Sequence, residues 1–142
     1  MKKLVFVFLV MLSSSIFAQD WTFDINKAQA LAKDGNKKII IVFQGSDWCA
    51  PCIKLDTEIF STETFRKYAA NNYVMLQADF PRKRKNKLAA EQKEKNAKLF
   101  EKYNTMGIFP FVVVLDADKK VLKTAGYKKM SPKEYIAYLN ED

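Results

Sequence analysis

Apolar and polar positions along the chain follow two periods, one helical and one extended. Ile25, Ala28, Leu31 and Ala32 recur at helical spacing behind Asp24, a residue suited to capping, and Gly35 is placed to end that helix. The run Ile39-Ile40-Ile41-Val42-Phe43 is apolar on both faces, the pattern of a central strand covered from both sides. A loop at residues 44–47 leads to a helix that starts near Cys49 and passes through Ile53, Leu55 and Ile59. Ser61 is placed to cap a short continuation holding Phe65 and Tyr68. Residues 73–78 predict a second strand, ended by Asp79, Phe80 and Pro81. Leu88, Leu99, Phe100 and Tyr103 form an apolar stripe that predicts a helix over residues 88–103. After a loop at 105–109, Pro110 opens a strand over 111–115, residues 116–119 turn the chain, and 121–124 return as the second arm of a hairpin. Gly126 is a candidate bulge or bend. Ser131-Pro132-Lys133-Glu134 is a capping box with proline at the first helical position, and it launches a last helix with Tyr135, Ile136, Tyr138 and Leu139. Strands that alternate with helices imply parallel pairing, and the hairpin adds an antiparallel piece. The fold class is therefore α/β, a central mixed β-sheet flanked by helices on both faces.

Ahead of the first helix the pattern is different. Lys2 and Lys3 precede an unbroken apolar run at residues 4–12, followed by Ser13-Ser14-Ser15 and Ile16-Phe17-Ala18. Basic, apolar and small-residue segments in that order read as a secretory signal cut after Ala18. The rival is a retained membrane anchor, but a spanning helix needs about 20 apolar residues and the serines interrupt this run too early. The expected plan is a signal peptide over residues 1–18 and one domain over 19–142, exported to the periplasm or secreted, with no stable membrane anchor after cleavage. Loss of Lys2 and Lys3 lowers the formal charge from +8 to +6, which is basic without being extreme. With 49% apolar residues and abundant Phe and Tyr, the chain has the material for a core and is not a disordered tail.

The sequence contains no histidine, which excludes Ser–His–Asp and Cys–His catalysis and removes the commonest zinc and copper ligand. Its two cysteines, Cys49 and Cys52, lie three apart between the most apolar strand and the start of a helix. A helix N-terminus presents unpaired N–H groups and a positive partial charge, and both favour the thiolate, the attacking form of cysteine. Cys49 is placed at the exposed mouth of the helix and Cys52 one turn in, so Cys49 is the candidate nucleophile and Cys52 the resolving thiol. Pro51 sits within the first turn, where its missing N–H costs little, and stiffens the link; Ala50 fills the other linker position. Two other readings stand beside this one. A structural disulfide closing so short a loop contributes only about 2 kcal/mol. A zinc site needs four ligands, and the chain offers two thiolates. No metal and no cofactor is expected.

The segment at residues 39–52, IIIVFQGSDWCAPC, resembles the active-site strand and loop of thioredoxins. Gly107-Ile108-Phe109-Pro110, followed by FVVVLDADKKVL, is similar to the family's second landmark, a cis proline that faces the cysteines and opens a hairpin. The phrase SDWCAPCIKLDTEIF and the charged stretch after Asp79 resemble exported thioredoxin-like proteins and the C-terminal periplasmic domain of membrane thiol reductases more than cytosolic thioredoxin. The resemblance implies a thioredoxin fold and a redox-active Cys49–Cys52 disulfide. It also implies that Pro110 is cis and packs near the thiols, that the Phe109 backbone offers strand-like hydrogen bonds to substrate, and that Trp48 shields the pair. The activity implied is thiol–disulfide exchange, reduction or isomerisation being favoured, on exported protein thiols or disulfides with a separate redox partner, by a monomer. The alternative is a non-catalytic binding module with a static disulfide and a basic docking face.

Two positions depart from the family pattern. The buried acid that thioredoxins carry on the strand before the cysteines is absent from Ile41-Val42-Phe43, and the nearby lysine is replaced in the region of Met75-Leu76. Asp47, Asp56 and Glu58 are the acids close enough in sequence to serve Cys52, each equally readable as a solvated surface group. The run Arg82-Lys83-Arg84-Lys85-Asn86-Lys87 has the charge to meet an anionic partner, but no aromatic interrupts it to stack bases, and nucleic acid is not expected as a ligand.

Overall fold

The computed structural model describes residues 19–141, and the signal peptide expected over residues 1–18 lies outside them. β2 (Lys38–Gln44) is the centre of a five-stranded sheet, with β3 (Tyr73–Asp79) and then β1 (Trp21–Thr22) on one side and the hairpin of β4 (Phe111–Leu115) and β5 (Val121–Ala125) on the other. β3 runs parallel to β2 from Lys38↔Tyr73 to Gln44↔Asp79. β4 pairs antiparallel on its other side, with Phe43 opposite Phe111, and β5 completes the hairpin. Ile39 to Phe43 are all essentially buried, because helices cover the sheet on both faces.

The alternation within the strands divides the core into two layers. Ile40, Val42, Met75, Val112 and Val114 face Leu55, Ile59, Phe60, Phe65, Tyr135 and Leu139. These come from α2 (Ala50–Leu55), the π-helical turn Asp56–Phe60, α3 (Glu63–Asn72) and α5 (Pro132–Asn140). Ile39, Ile41, Phe43, Leu76 and Val113 face the opposite way, onto Ala28 and Ala32 of α1 (Ile25–Gly35) and Leu99 of α4 (Ala90–Tyr103). The two small alanines let α1 lie close to the sheet. Among the described residues, no helix is long and apolar enough to cross a membrane.

Several boundaries differ from the sequence expectation. Gln44 belongs to β2, not to the loop, since it pairs with Asp79. The cap of α3 is Thr62, whose Oγ1 accepts the Phe65 N–H, while Ser61 closes the π turn with its N–H on the Asp56 carbonyl at 2.7 Å. α4 begins at Ala90 rather than Leu88, with no side-chain cap at its start. The irregularity in the hairpin lies between Val114 and Leu115, which pair with Lys123 and Val121 and leave Leu122 over, so Gly126 is not the bulge. β1 (Trp21–Thr22) was not signalled at all: two residues are too few to show a period. Its place is fixed by pairing with Met75 and Leu76 and by the Thr22 hydroxyl, which donates to the Met75 carbonyl at 3.0 Å.

Candidate active site

β2 delivers the chain to a tight turn at Gly45, where the Trp48 and Cys49 N–H groups both donate to the Gly45 carbonyl. A Cβ at Gly45 would run into the Trp48 indole, so this turn needs glycine. Cys49 is the N-cap residue of α2: its backbone is extended and its Sγ accepts the Cys52 N–H at 3.4 Å. Pro51 falls in the first turn, where no N–H is required. Cys49 and Cys52 are bonded as a disulfide with their Cα atoms 5.2 Å apart.

Both cysteines are 3% exposed, which corrects the expectation of an open Cys49 above a sheltered Cys52. In the disulfide, Cys49 Sγ folds back over the first helical turn toward Cys52 and its N–H. In the disulfide form the two cysteines therefore differ in position on the helix, cap against first turn, rather than in exposure.

The opposite wall is the turn before β4. The Phe109–Pro110 peptide is cis, and Pro110 is buried. Phe43↔Phe111 pairing brings this turn to the same end of the sheet as the cysteines. The Phe109 ring meets the Trp48 ring edge-on at 5.5 Å and stacks on Phe100 at 6.0 Å. Gly107 takes a φ of 66°, which suits glycine. Asn104, 1% exposed, brackets the turn: its Nδ2 donates to the Ile108 carbonyl at 2.9 Å and its Oδ1 accepts the Ile108 N–H at 3.1 Å. Sequence reasoning missed this residue, although an asparagine three before a glycine at a helix end is a terminus signal.

Trp48 is held on three sides. Its Nε1–H donates to the Phe80 carbonyl at 2.8 Å, Phe109 meets its edge, and the Arg82 guanidinium lies 3.7 Å from its ring centroid. Such a contact is worth about 0.5–1 kcal/mol at an exposed site. Asp47 accepts from the Arg82 and Lys83 N–H groups and from Asn86 Nδ2, all at 2.9 Å. The Arg82 N–H above all, then Asn86, holds the Asp47 carboxyl below its ordinary range.

The three acids considered for proton transfer to Cys52 divide accordingly. Asp47 is committed to the 82–86 loop. Glu58 accepts the Tyr127 hydroxyl at 2.7 Å. Asp56 caps the end of α2 through its backbone. The buried polar residues among those described are Thr22, Asn96 and Asn104, none of them acidic. Among the described residues, no three His, Cys, Asp or Glu side chains gather as a metal set. Cavities of about 540 and 610 Å³ open beside Tyr68 and Asn140 and beside Trp21 and Leu31, and neither is lined by the cysteines.

A family model described as thioredoxin-like matches residues 20–117. The disulfide bond reductase DsbH of Chlamydia pneumoniae is 36% identical over 112 residues, covering 78% of this chain and 66% of that protein. The chain thus spans about two thirds of that relative's length. A solved DsbH oxidoreductase superposes with a TM-score of 0.77 at 32% identity, over 84% of this chain and 81% of the other. The oxidised C-terminal domain of DsbD from Neisseria meningitidis gives a TM-score of 0.52 at 16% identity, over 82% of this chain and 91% of the other, a likeness of fold alone.

Proposed function

Since the chain belongs to the thioredoxin-like family, we propose that it is a thiol–disulfide oxidoreductase that reduces or isomerises protein disulfides outside the cytosol. The observation that carries this reading is Cys49 as helix cap, with the Cys52 N–H aimed at its sulfur, across from the cis Phe109–Pro110 turn. A relative named as a disulfide bond reductase supports the reductive direction. The leader pattern of residues 1–18 supports export of a domain over residues 19–142.

In the reduced form, the Cys49 thiolate attacks one sulfur of a substrate disulfide. A Cys49–substrate disulfide forms and the other substrate sulfur leaves as a thiolate. The Cys52 thiolate then attacks Cys49 Sγ, closing the Cys49–Cys52 bond and releasing the second substrate thiolate. Two electrons pass from the dithiol to the substrate, and a separate redox partner returns them. The helix-start N–H groups stabilise the Cys49 thiolate both as nucleophile and as leaving group. Pro51 and Ala50 hold the sulfurs within reach of each other. Phe109 and Pro110 offer extended backbone to a substrate segment, and Trp48 walls the site on the loop side. Among the described residues no buried acid lies beside Cys52 to take its proton.

Reduction of insulin disulfides driven by dithiothreitol tests the reading. The protein is expected to accelerate precipitation of the insulin B chain, and Cys49→Ser to return the rate to that of dithiothreitol alone. An unchanged rate in Cys49→Ser, or no acceleration by the parent protein, contradicts it.

A further inference from the structure

The loop after β3 is densely basic: Arg82, Lys83, Arg84, Lys85 and Lys87 are all exposed. Like charges so close repel one another, and an untethered loop of this kind would spread into solvent. This one is pinned. Asp47 takes the Arg82 and Lys83 N–H groups and the Asn86 amide, Arg84–Asn86 closes a 3₁₀ turn, and the Arg82 guanidinium rests on Trp48. The loop is therefore fastened, by its main chain, the Asn86 amide and one arginine, to the two residues that immediately precede Cys49.

Of the remaining four cations, Lys83 acts on Asp47 only by charge at longer range. Among the described residues, none of Lys83, Arg84, Lys85 and Lys87 forms an ion pair. The two acids in contact with this region are engaged by other donors. Asp47 is taken by the loop backbone and Asn86, and Asp79 accepts the Ser46 N–H and hydroxyl and the Phe80 N–H. Glu91 and Glu94, further along, pair with Lys95 and Lys98.

We propose that Lys83, Arg84, Lys85 and Lys87 form a docking rim for acidic polypeptide segments, so that this protein prefers partners with Asp or Glu beside the reactive disulfide. The inference rests on the oxidoreductase reading and specifies its substrate class. Lysine and arginine pair with carboxylates by charge-assisted hydrogen bonds. A fixed array of them beside the exchange site raises the encounter rate more than the lifetime of the complex. The effect is screened as the Debye length falls from about 10 Å at 0.1 M salt to about 3 Å at 1 M. The absence of an aromatic within the run disfavours single-stranded nucleic acid as the occupant.

The test compares two disulfide-bonded peptides of equal length, one with Asp and Glu flanking the cysteines and one with Ser and Asn. Second-order rate constants are measured with the reduced protein and with the reduced K83Q/R84Q/K85Q/K87Q variant. The parent is expected to reduce the acidic peptide about tenfold faster at low salt, an advantage that collapses toward unity in 1 M salt. The variant is expected to lose the advantage and to keep its rate on the neutral peptide. Equal rates for the two peptides, or a preference that survives in the variant, overturn the docking rim while leaving the oxidoreductase reading intact. Reduction of neither peptide overturns both. Equal peptide rates together with binding to phosphatidylglycerol vesicles that the variant loses assign the loop to a membrane surface and overturn the proposal.

Discussion

Asp47 lies next to Trp48 in sequence, yet its carboxylate is spent on a loop 35 to 39 residues away. The donors depress its ionisation below the ordinary 3.8, the Arg82 N–H contributing most. A carboxylate whose folded value is depressed stabilises the fold at neutral pH, and that stabilisation is lost as the pH falls below the ordinary value and through the folded one. The Arg82 and Lys83 amides are therefore expected to be protected from hydrogen exchange at mildly acidic pH and to lose protection below pH 3.8. Asp47→Asn should show weaker protection throughout and no acid step. Protection indifferent to both the substitution and the pH contradicts the clamp. At this scale the cysteines were legible because residue type and spacing coincide, with two thiols three apart and a helix about to start. Asp47 was read only as a nearby acid. Hydrogen bonds from a carboxylate to main-chain groups 35 and 36 residues away leave no mark on sequence pattern.

The elements show the same division between local and distant causes. The α5 capping box was readable because all of its parts lie within four residues: Ser131 Oγ accepts the Glu134 N–H, and the Glu134 carboxylate accepts the Ser131 N–H. The π turn was not, since the apolar residues Leu55, Ile59 and Phe60 fit an uninterrupted α-helix nearly as well. The turn places Ile59 and Phe60 side by side in the core. The end of α4 carries the most consequence for the site. Asn104 closes that helix, its N–H on the Phe100 carbonyl, and its side chain fixes Ile108 two residues before the cis proline. Asn104→Ala removes both side-chain hydrogen bonds to Ile108 from a buried position and is expected to cost about 1–3 kcal/mol. Urea unfolding measures the loss, and a midpoint equal to that of the parent would show that the turn holds its shape without the bracket.

Across the whole molecule, the sheet was legible because its central strands are buried on both faces and so read as unbroken Ile and Val runs. The order β1-β3-β2-β4-β5 follows from parallel crossovers and a closing hairpin, except for β1, which is too short to announce itself. The same architecture explains where the site lies. Parallel β2 and β3 end together at Gln44 and Asp79, so the cysteine loop and the basic loop leave the sheet side by side. β4 starts at that end with Phe111, which brings the cis proline opposite. Three segments far apart in sequence thus converge on one edge of the domain, and among the described residues no acid is buried beneath them, which sets this site apart from the thioredoxin pattern that its sequence resembles.

Trapping with the resolving thiol removed tests the account most directly. Reduced Cys52→Ala, mixed with a disulfide-bonded protein and analysed by mass spectrometry without reductant, is expected to accumulate a mixed disulfide on Cys49, while Cys49→Ala accumulates none and the parent releases its product. Trapping on Cys52 in the Cys49→Ala protein, or no covalent complex with either variant, would contradict the assignment of Cys49 as nucleophile and of the pair as an exchange site.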